Sequence, residues 1–341
     1  MPYFSSCLLG LITLAMVGVA GPASANTLEE VTDRGLLRCG VMNGGIGLSE
    51  IDTSGHWRGF FPEFCRSLAA AVLGDAEAVE FIEVNNVVRF EALNSGAFDV
   101  LMSNTTWTTS RDAKLDLAFT HPLYFDGQGF LSHSSLGAAS MSDVESASIC
   151  VSEGTTTIQN LRELVSKHPG TLKVVSFQSI EQVYESFFSR ECDLLTYDRI
   201  VLMSQRLNRA ADPDDFILFT DIISKEPLGP VVRGDDQDWF DVVQWVMYAT
   251  LIAEEHGISQ ATLDAYLDSE VPEVRRLLGL DPGMGDTLGL REDWALQALR
   301  QVGSYKDIYD RTLGEESSMK LDRGLNALWT DGGLMYPPPL R

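Results

Sequence analysis

The sequence predicts an α/β protein of two lobes followed by a largely helical C-terminal region. Three observations carry this. Short apolar runs of strand length alternate with segments of helical period over 28–102; the alternation starts afresh after Tyr124; and beyond residue 230 only helical periodicity remains. The 341 residues are 45% hydrophobic and 22% charged, with 13 Pro and 29 Gly, an ordinary globular composition at a length that suits two domains. Each can bury a core without a metal or a dense disulfide framework.

In chain order, a helix over 28–34 is closed by Gly35, and a strand over 36–42 runs into the glycine-rich turn Asn43-Gly44-Gly45-Ile46-Gly47. A turn at 52–55 leads to Gly59-Phe60-Phe61-Pro62 and a helix over about 63–73, with Gly74 past its end. A strand over 79–84, a helix over 88–94 stopped by Ser95-Gly96, and a brief strand over 99–102 complete the first lobe. The second lobe reads as strand 147–151, helix 156–166, strand 172–177, helix 180–189 and strand 193–197. Residues 224–230 break all periodicity and read as a linker. Helices are expected over 239–256, 260–267, 272–278, 292–303 and 305–312, and Tyr336-Pro337-Pro338-Pro339 as an extended surface tail.

Residues 1–25 carry no charged side chain, and 8–20 is an almost unbroken apolar run ending in Ala23-Ser24-Ala25, the small-x-small pattern of a signal-peptidase site. The run is short for a membrane span, although Met1 to Ser6 lacks the usual Lys or Arg. A cleaved leader and export to the periplasm are expected. Export places Cys39, Cys65, Cys150 and Cys192 in an oxidising compartment. Spacing alone leaves three pairings open; Cys39–Cys65 with Cys150–Cys192 is favoured because each pair falls within one predicted lobe. No CxxC or HExxH occurs and the five histidines are scattered, so neither a metal nor another cofactor is expected. The formal charge of −24 argues against nucleic acid and anionic lipid as partners.

Ligands of open α/β sheets bind at the carboxyl ends of strands. After 99–102 comes Ser103-Asn104-Thr105-Thr106-Trp107-Thr108-Thr109-Ser110-Arg111, hydroxyls and an amide leading to an arginine whose planar fork suits a carboxylate. A surface pair of Arg111 with Asp112 or Asp116 is the plainer alternative. After 147–151, Ser152-Glu153-Gly154-Thr155-Thr156-Thr157 opens a helix, where free N–H groups suit an anion, or where a threonine simply caps. After 193–197 stands Asp198-Arg199, an acid able to hold an ammonium or to pair locally. An arginine, a helix terminus and an acid at three strand ends together suit a zwitterion.

These stretches, with Asp126-Gly127-Gln128-Gly129-Phe130, Ile223-Ser224-Lys225-Glu226-Pro227-Leu228-Gly229-Pro230, Arg323-Gly324-Leu325-Asn326-Ala327-Leu328-Trp329 and Tyr336-Pro337-Pro338, resemble the type II periplasmic amino-acid-binding proteins of ABC importers, in their general L-amino-acid-binding branch. The resemblance implies a two-lobe type II fold, each lobe a mixed, mostly parallel sheet flanked by helices, with a ligand cleft between. It implies one lobe from 26–127 plus 228–341, a second from 128–227, and crossovers near 126–130 and 225–231. It implies an L-amino acid of broad or polar specificity as ligand, permease subunits as partners, a monomer, and no catalysis. Arg111 is implied to grip the α-carboxylate with Thr106 and the backbone of Thr155 and Thr156, and Asp198 to accept the α-ammonium. Asn104 and the turn at 43–48 are implied to line the cleft, and Trp107 either faces the ligand or, as expected, packs in the lobe core. Two departures stand out: Phe61-Pro62 replaces the acid usual near the first helix, and Ile46 and Leu48 occupy the turn where an aromatic lid is usual. The competing expectations are an enzyme on this fold, such as a cyclohexadienyl dehydratase-like protein, a sensory domain, or a binder of a diverged ligand such as an opine or dicarboxylate. Glu153 is the one candidate acid for a dehydratase, and is expected to be a solvated loop charge.

Overall fold

The computed structural model describes residues 26–341, so the expected leader lies outside the described residues. The chain forms two five-stranded sheets. The first runs in the order Val79–Glu83, Leu37–Val41, Val100–Leu101, Val231–Arg233, Leu117–Phe119. Its first three strands are parallel, and Val231–Arg233 inserts antiparallel to both neighbours. The second runs Thr171–Phe177, Ser146–Ser152, Leu194–Asp198, Gln128–His133, Phe216–Leu218, again parallel on one side and antiparallel on the other. A strand from late in the chain thus completes the first sheet, and the chain passes between lobes twice.

The segment expected to be a linker contains a strand. Glu226–Leu228 pairs antiparallel with Tyr124–Asp126, with Glu226 opposite Asp126 and Leu228 opposite Tyr124. Pro227 hides this from a periodicity reading because it cannot donate to a ladder, and in a two-stranded ribbon it does not have to. The Asn326 side chain grips the ribbon from outside, its Oδ1 accepting from the Phe125 N–H at 2.6 Å and its Nδ2 donating to the Phe125 carbonyl at 3.2 Å.

Helix Phe60–Leu73 is buried along nearly its whole length, and Gly74 ends it in the left-handed region. The ring of Phe60 makes edge contacts with Phe61, Phe64, Tyr124, Tyr305 and Tyr309. This aromatic cluster joins the C-terminal helix Tyr305–Thr312 to the first lobe, with Phe61 at its edge. Arg323 lies 4.8 Å over both Tyr305 and Tyr309 and pairs with Glu254. Two expectations for the C-terminal region fail or shrink. Residues 260–267 contain only a 3-10 turn, Leu263–Tyr266, and the helix expected over 292–303 spans Trp294–Gln301. A helix that periodicity did not single out, Arg199–Arg209, follows Asp198 directly.

Disulfides join Cys39 to Cys65 and Cys150 to Cys192, with Cα separations of 6.2 Å and 5.8 Å. The first ties strand Leu37–Val41 to helix Phe60–Leu73, and the second ties strand Ser146–Ser152 to the residues just before strand Leu194–Asp198.

Candidate functional site

The carboxyl ends of both sheets face one another. In the first lobe, Thr108 caps helix Thr109–Lys114 by accepting the Arg111 N–H at 3.3 Å. Arg111 is 8% exposed, its guanidinium donates to the Thr106 carbonyl at 2.8 Å and lies 5.2 Å from the centre of the Phe90 ring. It is therefore turned inward, away from Asp112 and Asp116. In the second lobe, Thr155 caps helix Thr156–Lys167, its hydroxyl accepting from the Ile158 N–H and donating to the Ser152 carbonyl. A cavity of about 620 Å³ lies between these two helix starts, with Arg111, Phe90, Gly154, Thr155 and Thr156 among its walls.

Asn104, Thr106 and Asp198 sit behind that cavity, where the lobes touch. The Asn104 amide donates to Asp198 Oδ2 at 2.8 Å. Thr106 Oγ1 donates to Glu226 Oε2, and Thr156 Oγ1 reaches the same oxygen at 3.3 Å. Asn86 donates to the Tyr197 hydroxyl at 3.0 Å and to Ser152 Oγ at 3.3 Å. Gly154 lies at φ +72°, and a Cβ there would stand 3.0 Å from the Asn86 carbonyl oxygen. Glycine thus lets the turn before helix Thr156–Lys167 approach the first lobe's backbone.

Asp198 is not paired locally: the Arg199 guanidinium donates to the Phe219 and Asp221 carbonyls instead. Burial holds the Asp198 carboxyl well above the usual carboxylate range, and the Glu226 and Asp126 carboxylates push it the same way against Asn104 and Arg89. Asp126 is raised to about 6, chiefly by burial, while the N–H groups of Ile200 and Gly127 oppose the rise. Burial lowers Arg111, and Glu226 and Asp198 partly restore it. The site thus sets a desolvated cation beside a cluster of three acids, an arrangement complementary to a small molecule carrying both charges.

Several sequence expectations need correction here. Trp107 is 42% exposed and stacks on Phe119 at 6.3 Å, outside the lobe core. The turn at 43–48 packs against helix Arg199–Arg209, with Ser204 donating to the Ile46 carbonyl at 2.8 Å and Gln205 to that of Gly44 at 3.0 Å. It closes a different edge of the interface from the cavity at Arg111. Phe90 is the aromatic side chain on the wall of that cavity. Glu153 lines it too and accepts from Ser176 Oγ at 3.0 Å. Arg89, Phe90, Asn86, Tyr197 and Glu226 were all missed by strand-end reading. Only Glu226, within a stretch of unusual composition, carried a signal that could have found it.

Residues 37–315 match the family described as bacterial extracellular solute-binding proteins, family 3. The general L-amino acid-binding periplasmic protein AapJ of Rhizobium johnstonii is 43% identical over 338 residues, 98% of each chain. The glutamate/glutamine/aspartate/asparagine-binding protein BztA of Rhodobacter capsulatus is 44% identical over 98% of this chain and 99% of its own. A solved periplasmic binding protein of an ABC transporter from Brucella ovis, with glutathione bound, is 42% identical, with a TM-score of 0.90 over 93% of this chain and all of that one.

Proposed function

As the chain belongs to the bacterial extracellular solute-binding proteins of family 3, we propose that it captures an L-amino acid, or a small molecule bearing that zwitterionic head, and delivers it to an ABC importer. The observation that carries this reading is the inward-turned Arg111 opposite the Thr155-capped helix start, with Asp198 and Glu226 behind. Arg111 holds the α-carboxylate, helped by Thr106 and by the N–H groups at Thr155 and Thr156. Asp198 accepts the α-ammonium, and Asn104, its partner across the cleft, supports that carboxylate. The names of AapJ and BztA, and the glutathione bound to the Brucella protein, support a ligand with an amino-acid head and a variable remainder.

In this reading the lobes are 26–127 with 228–341, and 128–227, and the paired strands Tyr124–Asp126 and Glu226–Leu228 are the hinge. Ligand bridging favours the closed lobes, and closure presents both to the permease. The protein is exported through a cleaved leader, acts as a monomer in the periplasm and performs no catalysis. Glu153, the one acid on the cavity wall among the described residues, accepts a hydrogen bond from Ser176 Oγ.

The test is a thermal-shift screen of the mature protein, stripped of bound ligand by unfolding and refolding. The panel is the twenty amino acids, glutathione, and analogues lacking either the amine or the carboxylate. Stabilisation grows with ligand concentration over Kd. Shifts with several L-amino acids and none with the analogues are expected. A shift with amine-free dicarboxylates alone would move the assignment to a diverged ligand.

A further inference from the structure

The ribbon of Tyr124–Asp126 and Glu226–Leu228 is held by a residue far from the cavity at Arg111. Asn326 lies beyond residue 315, where the match to the family ends, and is 3% exposed. Its carboxamide meets both backbone groups of one residue, accepting the Phe125 N–H at 2.6 Å and donating to the Phe125 carbonyl at 3.2 Å. Phe125 stands opposite Pro227, which has no N–H to offer that carbonyl. The side-chain amide thus takes the place of a third strand on this edge of the ribbon. At the other edge the Pro227 carbonyl accepts the Trp107 N–H at 3.0 Å.

Asn326 is itself firmly mounted. Arg323 donates to its carbonyl at 2.8 Å while lying 4.8 Å over Tyr305 and Tyr309. The Tyr305 hydroxyl donates to the Leu123 carbonyl at 2.7 Å, just ahead of the ribbon.

The ribbon carries Glu226, opposite Asp126 and next to the pair that Asn326 fixes. Glu226 is buried, and neutral donors surround its carboxylate. Thr106 and Thr156 share one oxygen, while Ser224 and Asn160 donate to the other. Thr106 precedes Arg111 on one side of the cleft, and Thr156 opens the facing helix on the other. Thr156 stands at 3.3 Å, near the limit of a hydrogen bond, so a ribbon displaced by about half an ångström loses it. Each donor lost leaves buried charge less satisfied, which disfavours the closed cleft.

We propose that Asn326 is a positioning residue for ligand capture: by fixing the ribbon it places Glu226 where both lobes share it, and so sets the equilibrium between open and closed lobes. The proposal rests on the amino-acid reading of the cleft for its choice of probe. Asn326 is not among the walls of the cavity at Arg111. Its loss therefore weakens every ligand by one factor, since apparent Kd rises as the closed population falls.

The experiment is calorimetric titration of the stripped mature protein with L-glutamate and L-glutamine, for wild type, Asn326→Ala, Asn326→Asp, Glu226→Gln and the double variants. Thermal melts and hydrogen exchange of the ligand-free proteins accompany it. Either Asn326 variant is expected to raise Kd about tenfold for both ligands, with their ratio unchanged. On the Glu226→Gln background the same substitution is expected to cost less than about threefold, because it acts through Glu226. Exchange is expected to quicken at 103–107 and 152–160 as well as beside the substitution. An unchanged Kd with only a lower Tm overturns the proposal. So do additive losses in the double variants, or faster exchange confined to 123–128 and 324–328. Asn326→Asp keeps the size of the side chain while removing its donor, and serves if the alanine variant does not fold. If wild type binds neither amino acid, the amino-acid reading fails, and the exchange measurement, which needs no ligand, still decides the role of Asn326.

Discussion

Asn104 and Asp198, 94 positions apart and in different lobes, share a hydrogen bond of 2.8 Å in the closed cleft. The carboxylate assigned to the ligand ammonium is thus also a latch between lobes. Replacing Asp198 with Asn is expected to weaken ligands with a free ammonium far more than amine-free analogues, by about 2–5 kcal/mol for the former. Calorimetry on matched pairs of ligands checks this, and an equal loss for both members of a pair would remove Asp198 from its assigned role.

Arg111→Ala should abolish selective binding. The substitution leaves the ligand carboxylate unpaired in a desolvated cleft, at a cost of about 2–5 kcal/mol, at least roughly thirtyfold in Kd. Its direct partner is the Thr106 carbonyl, so the lobe is expected to keep its fold. A titration showing normal affinity, alongside an unchanged circular dichroism spectrum, would place the carboxylate elsewhere.

Binding should release protons. Burial and mutual repulsion raise Asp198 and hold Asp126 at about 6. A ligand ammonium among these acids favours their ionised forms, so the bound state holds fewer protons than the free state, and affinity rises as the pH climbs through about 6. For folding the sign is reversed. An acid whose folded pKa is raised contributes stability at low pH that fades as the pH rises through the same region. Calorimetry near pH 6 in two buffers of different ionisation enthalpy measures the proton count. Proton uptake would contradict the acid cluster as the ammonium site.

Gly154→Ala should impair closure. A Cβ would stand 3.0 Å from the Asn86 carbonyl, and the φ of +72° is costly for alanine. The two effects together are expected to cost about 1–2 kcal/mol, roughly tenfold in affinity. Small-angle scattering with saturating ligand checks the mechanism, since a variant that closes to the wild-type radius of gyration would show that glycine is not needed for approach.

Much of the local structure was legible in the sequence. The turn Ser152-Glu153-Gly154-Thr155 announced a helix start, and the structure caps helix Thr156–Lys167 with Thr155. Gly35 and Gly74 announced helix ends that the backbone makes in the left-handed region. Trp107 misled, because an apolar ring in a polar run was read as core, whereas its stacking on Phe119 leaves one face in solvent. Residues 224–230 misled in the other direction. A three-residue strand with a central proline has no periodicity to detect, and its partner Tyr124–Asp126 is a hundred residues away.

The sequence by itself determined the alternation of elements and the placing of Arg111, Thr155 and Asp198 at or just beyond strand ends, because strand ends and helix caps are written in neighbouring residues. Tertiary structure alone decided which of these meet. Glu226 reaches Thr106 over a separation of 120 positions, and Asn86 reaches Tyr197 over 111. It also decided that Arg89 is buried beside Arg111 on the ring of Phe90. Such contacts follow from the order of strands in two sheets and from how closely the lobes approach. Neither is carried by a local pattern, since each depends on burial and register set by the whole chain.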